Sequence, residues 1–189
     1  MKHIAIFASG NGSNTENIIK YFKSNANIRV SIVLSNHLEA KVLRRANDYD
    51  IDTYCFTKTQ LEKGVVTTML ENRGVSLIVL AGFLLKIPKS LIISYNNKII
   101  NIHPSLLPLH GGKGMYGRRV HEAVYASGDR NTGMTIHFVT EEYDQGDIIF
   151  QAKSILPQRT TIKFIEKQVR QLELKFLPII IEKLINEQN

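Results

Sequence analysis

The sequence predicts a doubly wound α/β fold, with a mostly parallel sheet covered by helices on both faces. Three observations carry that expectation. Short β-branched runs alternate with longer amphipathic stretches through residues 3–102. The runs are near-continuously apolar, as strands buried on both faces are. A glycine turn follows the first run, where a sheet of this kind connects strand to helix. The strand–helix–strand rhythm is that of βαβ units.

His3–Ala8, Arg29–Leu34, Thr53–Phe56, Ser76–Ala81 and Lys98–Ile102 read as strands, with helices over Asn14–Lys23, Leu38–Tyr49 and Gln60–Arg73 between them. The rhythm changes after Asn101. A loop rich in Gly and Pro spans Pro104–Gly117, and a helix covers Arg118–Ala126. Two late strands, Gly133–Val139 and Asp147–Ile155, flank the acidic turn Thr140–Gly146 and add an antiparallel contribution. A long helix over Thr160–Ile185 closes the chain. Thr160 or Thr161 is its expected N-cap, and Pro178 is expected to kink or divide it.

With 189 residues and no linker, residues 1–189 are expected to form a single domain. Apolar residues make up 43% and charged residues 22%, which excludes disordered, collagen-like, coiled-coil and disulfide-scaffold classes. The net charge of +7 favours anionic partners: phosphorylated metabolites, polycarboxylates or nucleic acid. The basic residues are scattered, however. Their densest spots, Lys41–Arg45 and Arg118–Arg119, read as solvated helix faces, so nucleic acid is not the expected partner. The single cysteine, Cys55, lies in an apolar run and reads as a buried small residue; no disulfide within the chain is possible. The first apolar run ends in a glycine turn, unlike a signal peptide. The longest apolar stretch, Val75–Leu85, falls short of the ~20 residues of a membrane helix, so no membrane partner and a cytoplasmic location are expected.

The loop Ser9-Gly10-Asn11-Gly12-Ser13-Asn14 sits at the carboxyl end of the first strand and the start of the first helix. Free backbone N–H groups there, reinforced by the helix dipole, suit an anion. Gly10 and Gly12 allow close backbone approach, and Ser13 and Asn14 add side-chain donors. The dinucleotide fingerprint is incomplete, because Thr15 stands at its third glycine and Ser35-Asn36, with no acidic residue, ends the second strand. The lysine of a P-loop is missing as well. Neither NAD nor ATP is therefore expected; a single phosphate on a small metabolite is.

The strongest signal is Asn101-Ile102-His103-Pro104-Ser105-Leu106-Leu107-Pro108. Asn101 and His103 are two apart at the end of a strand, so both point to one face. An amide can donate to a developing oxyanion, and an imidazole can move protons near neutral pH. Asp144, in the acidic turn, would favour the imidazolium form and hold the ring if it folded back beside His103. The set suits acyl transfer through a tetrahedral intermediate. His121 has the next-best claim on the site but reads as an ordinary helix-start residue, and His137, within a strand, reads as structural. The six histidines show no metal-binding spacing, so no metal is expected.

The loop Gly10–Asn14, the turn Ala81-Gly82-Phe83, the Asn101–Pro108 motif, and His137-Phe138-Val139-Thr140 leading to Asp144 together resemble the phosphoribosylglycinamide formyltransferases, a branch of the folate-dependent formyltransferases. The resemblance runs in order over nearly the whole chain and implies a Rossmann-like formyltransferase fold. It implies transfer of a formyl group from the co-substrate 10-formyltetrahydrofolate to the primary amine of phosphoribosylglycinamide, a step of purine biosynthesis. Asn101, His103 and Asp144 match the catalytic residues; the expected route is direct attack of the neutral amine on the formyl carbon, with Asn101 and protonated His103 stabilising the oxyanion and Asp144 raising the His103 pKa. Gly12, Ser13 and Asn14 match the loop holding the ribonucleotide phosphate, and Glu173 matches a glutamate that binds the rest of that substrate. Leu84, Leu85, Lys86 and Ile87, with Asn101, Thr140, Glu141 and Asp144, match the folate contacts. A monomer or a homodimer is expected, and the sequence does not choose between them. Two departures stand out: Leu109–Val120 is longer than the compact loop of many members, and Leu85 is apolar where a basic residue is common, the charge falling on Lys86. Competing readings are a formyltetrahydrofolate hydrolase, a formyltransferase for another amine such as an amino sugar, and a ligand sensor with a dead site.

Overall fold

A computed structural model describes residues 1–187. Seven strands form one sheet in the order β3-β2-β1-β4-β5-β6-β7. β1 (Lys2–Phe7), β2 (Ile28–Ser35), β3 (Asp52–Cys55), β4 (Val75–Leu80) and β5 (Ile99–His103) run parallel. β6 (Asn131–Phe138) and β7 (Ile148–Ile155) join antiparallel, as the late runs suggested. The chain winds outward from β1 to β3, returns, and winds the other way from β4. Its reversal point lies between the carboxyl ends of β1 and β4, where open sheets leave a crevice for ligands.

Both faces of the sheet are covered. On one, Ile4, Ile6, Leu77, Val79 and Ile100 pack against α1 (Ser13–Phe22), α2 (Lys41–Asn47), α6 (Arg118–Ala126) and α7 (Ile162–Glu187) through Ile18, Val42, Val124 and Ile165. On the other, Ala5, Phe7, Ile32 and Ile78 pack against α3 (Lys58–Glu62), α4 (Val65–Asn72) and α5 (Lys89–Ser94) through Leu61, Leu70 and Leu91. Apolar side chains on both sides of each central strand explain why the strands lack polar alternation.

Several expected elements change. The helix foreseen over residues 60–73 is two helices, because Gly64 takes φ +78° and ends the first. Thr57 and Gln60 start α3 with a reciprocal capping box. The second helix is shorter than foreseen, Lys41–Asn47, and α5 was not foreseen at all. Cys55 is half-buried at the outer strand rather than buried. Thr161, not Thr160, caps α7, its hydroxyl accepting from the Phe164 N–H.

Pro178 does not divide α7, which continues unbroken to Glu187. A proline inside a helix leaves the carbonyl four residues earlier without its donor. That carbonyl, on Leu174, accepts instead from Asn17 Nδ2 of α1 at 2.7 Å. A side chain from the neighbouring helix thus satisfies the acceptor that proline orphans, while Pro178 itself packs in the interior. Among the described residues, no helix is long and apolar enough to cross a membrane.

Candidate active site

A cleft of about 770 Å³ opens at the carboxyl edge of the sheet, over the point where the winding reverses. Its size falls in the range of small-molecule sites. Every residue singled out from the sequence lines it: Gly12, Ser13, Asn14, Leu84–Ile87, Asn101, His103, Thr140, Glu141, Asp144 and Glu173.

One end is built by the turns after β1 and β4. These turns are tied together: the Ser9 N–H donates to the Gly82 carbonyl at 3.0 Å, and the Leu84 N–H donates to Ser9 Oγ at 3.0 Å. Gly12 begins α1 at φ +79° with no side-chain cap, so N–H groups of the first turn face the cleft unclaimed by a capping oxygen. Across from them, Asn14 Nδ2 donates to Glu173 Oε2 at 2.9 Å, while Asn14 Oδ1 is buried without a partner. Burial pushes the Glu173 carboxyl up and outweighs the opposing pull of Asn14 and Arg170. Donors for an anion and an acceptor for hydroxyl or amine groups therefore stand side by side.

At the centre, Asn101, His103 and Asp144 meet although 43 residues separate the first from the last. β5 delivers Asn101 and His103; the turn between β6 and β7 folds back to deliver Asp144, held at φ +56°. Asp144 Oδ2 lies 3.4 Å from His103 Nδ1 and accepts the Gly112 N–H at 2.9 Å. Asn101 Nδ2 lies 3.4 Å from Asp144 Oδ1. His103 Nε2 lies 2.9 Å from the His110 carbonyl, which can only accept, so the Nε2 proton is fixed.

The electrostatics depart from the sequence-based expectation in one respect. Asp144 does favour a charged His103, and so does the His110 carbonyl. Burial of the ring outweighs both, and the net shift is downward. Burial also pushes Asp144 up, but the contact with His137, the neighbouring His103 and the Gly112 N–H together hold its carboxyl below the ordinary value. The resting pair is an ionised carboxylate beside an imidazole that resists protonation.

The formyl transferase family model matches residues 2–181. The chain belongs to the formyl transferase family. The phosphoribosylglycinamide formyltransferase of Bacillus subtilis is 35% identical over 196 residues, spanning 100% of this chain and 97% of that protein. The enzyme of that name from Haemophilus influenzae is 33% identical, spanning 96% of this chain and 86% of that protein. Among solved structures, phosphoribosylglycinamide formyltransferase from Bacillus halodurans superposes with a TM-score of 0.88 at 28% identity, covering 100% of this chain and 97% of that one. The protein of that name from Anaplasma phagocytophilum gives 0.86 at 32% identity, covering 95% and 84%.

In this formyl transferase, two histidines matter more than their sequence positions suggested. His137, expected to be structural, lines the cleft opposite Asn101, its partner in the β5–β6 register. Its Nδ1 is 2.8 Å from the Phe138 carbonyl, which fixes the proton there and leaves Nε2 to accept from Asn101 Nδ2 at 3.1 Å. His137 thereby orients the amide. His121, in the first turn of α6, is buried and lines the cleft, and burial pushes its pKa down. Arg170, three residues before Glu173 on α7, also lines the cleft. Nothing in spacing alone marked these residues; for His137 the available signal was its place opposite Asn101 in an antiparallel pair. Among the described residues, no group of three or more His, Cys, Asp or Glu is placed to hold a metal ion.

Gly12 is sterically obligatory. A Cβ there would stand 2.5 Å from Val42 Cγ2 and 2.8 Å from Val42 Cα, at a backbone angle that L side chains rarely adopt. Gly12→Ala is expected to lose about 1–3 kcal/mol of stability by overpacking, read as a lower Tm, and to raise KM for the phosphorylated substrate.

Proposed function

We infer that this enzyme moves the formyl group of 10-formyltetrahydrofolate to the primary amine of phosphoribosylglycinamide, giving the N-formyl product and tetrahydrofolate. The observation that carries the reading is the joining, in one cleft, of an uncapped glycine-turn helix start and an Asn–His–Asp cluster. The first suits a terminal phosphate; the second suits a tetrahedral intermediate.

The shared cleft supports the following roles. Gly12, Ser13 and Asn14 hold the ribonucleotide phosphate, and Glu173 accepts hydrogen bonds from the same substrate. Leu84–Ile87 with Thr140 and Glu141 form the folate side of the cleft. The neutral glycinamide amine attacks the formyl carbon. Asn101 Nδ2 turns its second N–H from the long 3.4 Å contact with Asp144 toward the oxyanion. Negative charge growing beside His103 raises its proton affinity, so the amine proton passes to Nδ1, with Asp144 alongside to stabilise the imidazolium. His103 then returns that proton to the departing folate nitrogen. This route moves one formyl group and one proton and calls for no metal, NAD or ATP.

The test is an acceptor comparison with 10-formyltetrahydrofolate as donor. Phosphoribosylglycinamide is expected to be formylated, and the same glycinamide riboside without its phosphate to react with a much higher KM. Equal rates for the two, preferred formylation of an amino sugar, or release of formate alone would overturn the assignment.

A further inference from the structure

The segment His110–Gly112 touches both groups of the proton path from opposite sides. The His110 carbonyl receives the His103 Nε2–H at 2.9 Å, and the Gly112 N–H donates to Asp144 Oδ2 at 2.9 Å. Gly111, between them, is packed so closely that a Cβ would stand 2.5 Å from Leu107 Cδ2 and 3.4 Å from Asp144 Cβ. A small shift of these three residues would therefore move both His103 and Asp144.

No strand or helix holds this segment in place; it lies in the stretch between β5 and α6. His110 itself has φ +55°, a conformation that a non-glycine residue keeps only when its surroundings impose it. Two side-chain bonds impose it. Ser105 Oγ donates to the Leu109 carbonyl at 2.6 Å. The His110 ring places Nε2 2.6 Å from Asp129 Oδ2, in the turn between α6 and β6. Neither His110 nor Asp129 lines the cleft, and the pair is largely shielded, at 17% and 30% side-chain exposure.

We propose that His110 and Asp129 are positioning residues for the transfer. Their bond fixes the His110 carbonyl, which holds the proton of His103 on Nε2 and turns the bare Nδ1 toward Asp144 and the cleft. The same bond sets the Gly112 N–H that orients Asp144. The role rests on the formyl-transfer reading, but the ring state of His103 is observable without any turnover.

The experiment uses the full chain with His110→Ala, Asp129→Ala and the double variant, beside His110→Gln and Asp129→Asn. The last two keep a donor and an acceptor at the same places without the imidazole or the charge. Misplacing a catalytic group by about 1 Å can lower a rate by up to about 10²-fold. The alanine variants are expected to lose kcat on that scale with KM for both substrates unchanged. The double variant should lose no more than either single one, as for two halves of one interaction. His110→Gln and Asp129→Asn should recover most of the loss. By ¹⁵N NMR, wild-type His103 should carry its proton on Nε2, and the alanine variants should show a mixture of tautomers. Wild-type kcat in folded alanine variants, additive losses in the double variant, or an unchanged His103 tautomer would each overturn the proposal. If the wild type transferred no formyl group, the functional reading would fail, while the NMR result would still decide the positioning role.

Discussion

Asn101→Ala is expected to lower kcat by about 10²–10³-fold, the loss that follows removal of one oxyanion donor in other acyl-transfer sites. The expectation comes from how the amide is held. One N–H of Nδ2 is bonded to His137 Nε2 at 3.1 Å, which fixes the side chain; the other makes only a 3.4 Å contact with Asp144. That second N–H gains strength when an oxyanion forms and has little to lose beforehand, so its effect falls on the transition state more than on substrate binding. KM for both substrates should therefore change little. Steady-state kinetics on purified variant checks this, and a variant that kept wild-type kcat would remove Asn101 from the mechanism.

His103→Ala is expected to lower kcat by about 10²–10⁴-fold, the usual worth of a positioned acid–base group. Its pH dependence is the sharper prediction. His103 acts in its neutral form, and burial holds its pKa below the ordinary ~6.5. The acid limb of kcat should thus lie below 6.5, with full activity at neutral pH. Asp144 pushes the His103 pKa up. Asp144→Asn removes that influence, so the limb should move to still lower pH while the plateau falls, because the imidazolium formed during transfer loses its counter-charge. In His103→Ala the limb should disappear. A limb that moved upward in Asp144→Asn would reverse the assigned electrostatics.

Much of the site was legible because its parts are local. The Gly10–Asn14 loop and the Asn101–Pro108 run are contiguous, and each follows an apolar strand that fixes where it ends up. Asp144 is one of three acidic residues, with Glu141 and Glu142, in the turn between two late strands, and the resemblance to the formyltransferases singles it out among them. The residues that escaped depend on distant partners. His137 acquires its role from cross-strand register with Asn101, and His110 from Asp129 on another turn. The net direction of the His103 shift is not legible in the sequence, because a neighbouring carboxylate can be inferred from order along the chain, whereas the depth of burial that outweighs it is a property of the packed site.

The same division holds in the fold. The buried parallel strands announced themselves by continuous apolar runs. The break at Gly64 depends on a left-handed angle that a single glycine permits but does not demand. Pro178 looked like a helix breaker because the donor that rescues the Leu174 carbonyl is Asn17, more than 150 residues away. The short helix α5 buries little beyond Leu91 and Tyr95 follows at once, so it has no periodicity to read.

The central claim is that the one-carbon unit passes directly from folate to the amine within one cleft, with no covalent stop on the protein. Holding both reactants together can contribute up to ~7–11 kcal/mol toward the barrier, and only a direct route uses it for the transfer itself. A rapid-quench single turnover with formyl-labelled 10-formyltetrahydrofolate and phosphoribosylglycinamide measures this most directly. The expected result is label passing from folate to the formylated ribonucleotide in one phase, with none on denatured protein and none as formate. Label trapped on the chain at early times, or formate formed in place of the ribonucleotide product, would contradict it.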